Sequence, residues 1–208
     1  ESESFNAALP ASVVQRSAIA MDGPSQDVVV TDPPYYNAID YAGLSDFFYV
    51  WLKRSLANSS TGALFSQPLT PKREQAIMAS ESNDAKAKAR YVDLTQQALT
   101  ASRAKLGPDG MLSIVFAHSD PDAWATLIDC LLRAGLSPDA SWPIDTEREA
   151  KISSERRANL ATSVWMACRP RHADAGIAFL GDLQDELRRE VESKLLDFWR
   201  RGIRGADF

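Results

Sequence analysis

The chain reads as an α/β protein built on an open sheet. Three observations predict this: a β-branched run, Val28-Val-Val-Thr31, that halts at an acid and two prolines; further apolar runs of strand length; and, between and after them, longer segments with apolar residues at helical spacing. The 208 residues, 45% hydrophobic and 25% charged, suit one domain over residues 1–172 with a helical extension over 173–208.

The elements follow in order from period and punctuation. Ser12–Arg16 is a short apolar strand candidate, and Gln26–Thr31 is the strand that feeds Asp32. Ala42–Leu56 carries Leu44, Phe47, Phe48, Val50, Trp51 and Leu52 in a helical stripe. Asn58–Asn83 is rich in Ser, Pro and Thr with little periodicity, and a connection of that length inside a domain reads as a lid, a substrate-contacting insertion or a surface loop. Ala85–Leu106 is a long helix broken by Gly107-Pro-Asp-Gly110, after which Met111–Ala117 is a buried strand presenting His118 and Ser119. Asp120-Pro121 has the order of a cap followed by a first-turn proline, so a helix runs from Pro121 to about Arg133 and stops at Gly135. Trp142–Thr146 and Ser163–Cys168 are the last two strands, antiparallel neighbours at the sheet edge, joined by the charged connection Glu147–Asn159. Leu183, Leu187, Val191, Leu195 and Trp199 recur every four residues and mark an amphipathic helix that needs a surface for its stripe.

The corner Asp32-Pro33-Pro34-Tyr35 carries the chemistry. Proline cannot donate to a ladder and forces the residue before it into extended geometry, so Asp32 stands where a buried strand ends and a stiff turn begins. Ligands of open α/β sheets bind beyond the carboxyl ends of the strands, where this corner offers a carboxylate, proline carbonyls and a ring. A planar, amine-bearing heterocycle suits those groups. Asp32 and the Pro33 carbonyl can accept the two N–H bonds of an exocyclic amine and favour its pyramidal form, whose lone pair attacks a methyl donor. Pro34 stiffens the turn, Tyr35 stacks on the base, and Tyr36, Asn37 and Asp40 are further candidates for lining the pocket. A base inside a duplex cannot reach such a corner, so the target is flipped out or single-stranded. His118 could accept a proton, but the reaction does not require it.

Asp-Pro-Pro-Tyr after an apolar strand resembles the catalytic motif of S-adenosylmethionine-dependent amino-group methyltransferases acting on adenine N6 or cytosine N4 in DNA. The run Val29–Leu56, with Met111–Gly135, Ser141–Thr146 and Thr162–Arg171 in the same order, is similar to large adenine-specific DNA methylases. The resemblance implies a Rossmann-like (class I) methyltransferase sheet with helices on both faces, S-adenosyl-L-methionine as donor and a flipped DNA base, adenine first, as acceptor. It assigns Asp32, Pro33, Pro34 and Tyr35 to catalysis, and Tyr35, Tyr36, Asn37 and Asp40 to the base. Ser17 and Asp32 fall where the cofactor is contacted, although an acid is the commoner residue at the position of Ser17.

One feature of such enzymes is missing. The ten glycines form no cluster after a first strand, and the 31 residues before Asp32 are too few for the first two βα units of a doubly wound sheet. The expectation is an internal fragment: a partial catalytic domain lacking its first strands, inactive alone, with a bare sheet edge open to self-association.

Composition narrows the setting. A net charge of −5 lacks the basic signature of backbone-dominated DNA binding, so a nucleic-acid face would rest on local clusters at Lys53-Arg54, Lys72-Arg73, Lys86/Lys88/Arg90 and Arg156-Arg157. No apolar run approaches the roughly 20 residues of a membrane span, and no metal-ligand spacing occurs. Cys130 and Cys168 read as buried free thiols, which makes the cytoplasm the default compartment. Two other functions fit the same residues: methylation of an amide or amine in RNA or protein, and a non-catalytic remnant or interaction module.

Overall fold

The computed structural model describes residues 12–78, 84–145, 162–172, 174 and 180–202. The elements are β1 (Gln26–Thr31), α1 (Tyr41–Leu56), α2 (Asp84–Lys105), β2 (Leu106–Phe116), α3 (Pro121–Arg133), β3 (Leu136–Asp145), β4 (Thr162–Pro170) and α4 (Leu180–Arg200). The four strands form one mixed sheet in the order β1-β2-β4-β3. β1 and β2 are parallel, and β4 runs antiparallel to both of its neighbours. The fold is thus α/β and compatible with part of a Rossmann-like sheet.

Alternation along the strands explains the core. Leu112, Ile114 and Phe116 of β2 pair in register with Cys168, Met166 and Val164 of β4, and all six point to one face. Ala123, Leu127, Cys130 and Leu131 of α3 and Tyr91 and Leu99 of α2 close over that face. Asp120 accepts the Asp122 N–H at 2.9 Å and caps α3, while Gly135, at φ +75°, takes the left-handed conformation that ends it. Both cysteines are free and buried in this layer, and burial pushes each thiol up to about 11.

Several expectations are corrected. Ser12–Arg16 forms no strand: these residues are exposed coil, and Ser17 opens a turn closed by the Ala20 N–H on its carbonyl. Instead, Met21–Ser25 docks on the end of α2, where Lys105 donates to the Gly23 carbonyl and Ser25 to that of Lys105. Gly107–Gly110 is a bulge contained within β2, since the pairing jumps from Gln26↔Leu106 to Val28↔Met111. β3 begins earlier than Trp142 and absorbs Pro138 and Pro143, which an edge strand tolerates.

The resemblance implies helices on both faces; among the described residues α2 and α3 cover one. The opposite face shows Val28, Val30, Trp142 and Trp165, with Val30 65% exposed. On its outer side β1 has no strand partner among the described residues. Nor does α4 lay its stripe on the sheet: Leu183, Leu187, Val191, Leu195 and Trp199 are all exposed. The connection Glu147–Asn159 lies outside the described residues. No described helix is long and apolar enough to cross a membrane.

Candidate active site at the tip of β1

The parallel pairing Thr31↔Ile114 brings the carboxyl ends of β1 and β2 side by side. Antiparallel β4 begins at this same end, because Val164 pairs with Phe116, the last residue of β2. Three segments therefore meet at one rim: the corner Asp32–Asn37, the exit of β2 at Ala117–Ser119, and the entry of β4 at Thr162-Ser163.

Asp32 is exposed at this rim, with Pro33, Pro34 and Tyr35 half-buried behind it. The Tyr35 ring lies edge-on against Phe116, with centroids 5.4 Å apart. Its hydroxyl reaches both the Asp32 carboxylate and the hydroxyl of Ser163, which is buried on β4. Burial raises the Tyr35 phenol well above its ordinary value, and the adjacent Asp32 carboxylate raises it further, so the hydroxyl stays protonated beside that acid. Tyr41, at the start of α1, is shifted the same way by burial first and Asp32 second. One exposed carboxylate thus sits between two phenols that remain neutral. Ser163 carried no signal in the sequence, because its arrival beside Tyr35 depends on the reversed direction of β4.

Tyr36 goes the other way. It is 2% exposed and has the only positive φ among described non-glycine residues, +48°, which turns its side chain inward although Tyr35 faces the rim. Its ring stands perpendicular to Tyr91 and His118, and its hydroxyl donates to Asp122 at 2.8 Å. Lys88 bonds the same carboxylate, and together with Tyr36 it lowers the Asp122 pKa. This ring holds the corner onto α2 and α3; it is not placed to touch a base.

Asp40 is likewise a structural residue. It caps α1 by accepting the Gly43 N–H at 3.1 Å and takes a second bond from the Gln75 amide, which together lower its pKa. Gly43 leaves room for this cap, since a Cβ there would collide with the Asp40 carboxylate. Gln75 also accepts the Ala42 N–H at 2.9 Å, Thr70 bonds Asp46 and the Ala42 carbonyl, and Met78 donates to the Tyr36 carbonyl at 2.8 Å. The described part of the Asn58–Asn83 connection is therefore pinned to α1 and to the corner.

His118 has both ring nitrogens engaged. Nδ1 accepts the Asp120 N–H at 3.0 Å, and Nε2 lies 2.8 Å from Asn37 Oδ1. A ring so held is not a free proton acceptor. Asn37 is exposed at the rim.

Ser17 is not brought to this rim. Its hydroxyl faces the Ile19 N–H of its own turn, on the stretch that leads to the far end of the sheet. No glycine-rich turn stands beside Asp32 among the described residues. Of the basic clusters, Lys53 bonds the Gln67 carbonyl, Lys72 pairs with Asp46 and Lys88 with Asp122, while Arg156-Arg157 lies outside the described residues. An open cleft of about 650 Å³ lies between the start of β3 and the end of β4, lined by Asp139, Arg169, Arg171 and His172, and contains none of the rim residues. No protein-family model matches the chain, and no curated protein sequence matches it.

Proposed function

We propose that this chain supplies the acceptor half of an amino-group methyltransferase, with the exocyclic amine of a flipped DNA base, adenine N6 foremost, as its target. The observation that carries the reading is the exposed Asp32 carboxylate at the tip of β1, flanked by the neutral hydroxyls of Tyr35 and Tyr41. A neutral Tyr35 hydroxyl beside the carboxylate adds no competing charge and leaves lone pairs of Asp32 for an incoming amine. Asp32 accepts one amino hydrogen, the Pro33 carbonyl accepts the other, and the half-buried Tyr35 ring meets the base. S-adenosyl-L-methionine is the donor in this reading, and polypeptide other than the residues described would complete its site; the part played by this chain is to hold and orient the amine. A second reading, an interaction module, draws support from the exposed valines and tryptophans of the uncovered sheet face.

The test is binding of a short single-stranded oligonucleotide with one central adenine, compared with one carrying purine, which lacks the amine. The expected result is a preference for adenine of about tenfold or more, lost in Asp32→Ala, as a hydrogen bond to a charged group implies. Equal affinity for the two oligonucleotides removes the reading. Calorimetry with S-adenosyl-L-methionine should give no binding at micromolar concentrations; tight binding would show that the chain makes a donor site after all.

A further inference from the structure

His118 and Asn37 are linked in a way that determines what Asn37 offers. The Asp120 backbone N–H can only donate, so His118 Nδ1, which receives it at 3.0 Å, carries no proton. The neutral ring therefore holds its proton on Nε2, and at 2.8 Å that N–H donates to Asn37 Oδ1. The ring is also fixed by Tyr36, perpendicular at 5.6 Å, and by Phe116, stacked at 6.4 Å; the His118 carbonyl takes the Trp124 indole N–H at 2.8 Å. With its oxygen held inward, Asn37 turns its NH₂ group to the rim, where it has no partner among the described residues.

We infer that His118 is a positioning residue that fixes the Asn37 amide so that its N–H donors face an incoming base, selecting an edge on which an amino group flanks an unprotonated ring nitrogen. This rests on the proposed base-binding role of the corner. Asp32 accepts from the amine and Asn37 donates to the adjacent ring nitrogen, a pattern presented by adenine through N6 and N1 and by cytosine through N4 and N3. Guanine, thymine and uracil present a protonated ring nitrogen on that edge, which opposes the amide donors. The device reads the base without any proton transfer by His118.

The experiment uses the whole chain with single-stranded oligonucleotides carrying one adenine, 1-deazaadenine or purine, followed by anisotropy. Wild type should bind adenine about five- to tenfold better than 1-deazaadenine, the worth of one neutral hydrogen bond. Asn37→Asp, a substitution at an exposed position, should abolish or invert that ratio while the amine-dependent preference over purine persists. His118→Ala should shrink the ratio toward one, and ¹⁵N spectra of the wild-type imidazole should show the proton on Nε2. A preference for adenine over purine with no sensitivity to 1-deazaadenine or Asn37→Asp overturns this inference and leaves the proposed function standing. No preference over purine overturns both, and a proton on Nδ1 overturns the role of His118.

Discussion

The hydroxyl of Tyr36 donates to the carboxylate of Asp122 at 2.8 Å across a sequence separation of 86 residues. This bond joins the corner beyond β1 to the first turn of α3, and the buried ring behind it fills the space between Tyr91 and His118. Tyr36→Phe keeps the ring and removes the bond, while Asp122 retains Lys88. The expected loss is about 1 kcal/mol in a urea titration. Tyr36→Ala also vacates the ring's site and should cost about 3–5 kcal/mol.

Asp46 offers a pH signature. Lys72 first, then Thr70, hold its carboxyl down to about 2, below the ordinary 3.8. A depressed folded value means the contribution is present above 3.8 and is lost as pH falls through about 2. Urea midpoints of wild type should therefore fall toward those of Asp46→Asn over that window and differ from them most above it. A constant gap down to pH 2 would contradict the pairing with Lys72.

The two thiols should be inert in the folded chain. With both raised to about 11 by burial, the reactive thiolate is scarce at pH 8. Alkylation of native protein should be ~200-fold slower than in denaturant, where a thiol has its ordinary value near 8.5. Rapid labelling of Cys130 or Cys168 without denaturant would show that the α3–sheet layer opens.

Among the described residues the outer edge of β1 has no strand partner and offers backbone donors and acceptors beside exposed Val28 and Val30. Strands with such edges pair with other chains. Sedimentation should show concentration-dependent association, reduced by the double substitution Val28→Lys, Val30→Lys with the melting transition retained. A monomer at all concentrations would show that this edge is protected.

Punctuation made β1 and α3 legible in the sequence, with the bounds Gln26–Thr31 and Pro121–Arg133. β1 stops at prolines; α3 has a cap and proline at one end and glycine at the other. Ser12–Arg16 has the composition of a strand but pairs with no strand among the described residues, and composition alone does not supply a partner. The corner's opposed tyrosines were equally hidden: adjacent side chains diverge here because Tyr36 adopts a positive φ, which no local signal announced. Asp40 has the composition of a pocket residue, but Gln75 and Gly43 both bond its Oδ1. Ser163 and the His118–Asn37 link arise from strand register and from contacts between distant segments.

Trp142 and Trp165 are register partners on the uncovered face of the sheet, both open to water. That pairing makes the molecule its own optical gauge. Whatever comes to lie on those strands must dehydrate two adjacent indoles, shifting their emission to the blue and shielding them from iodide, so in a chain whose other exposed indoles are removed (Trp51→Phe, Trp199→Phe) occupancy of this surface can be followed without attaching a dye.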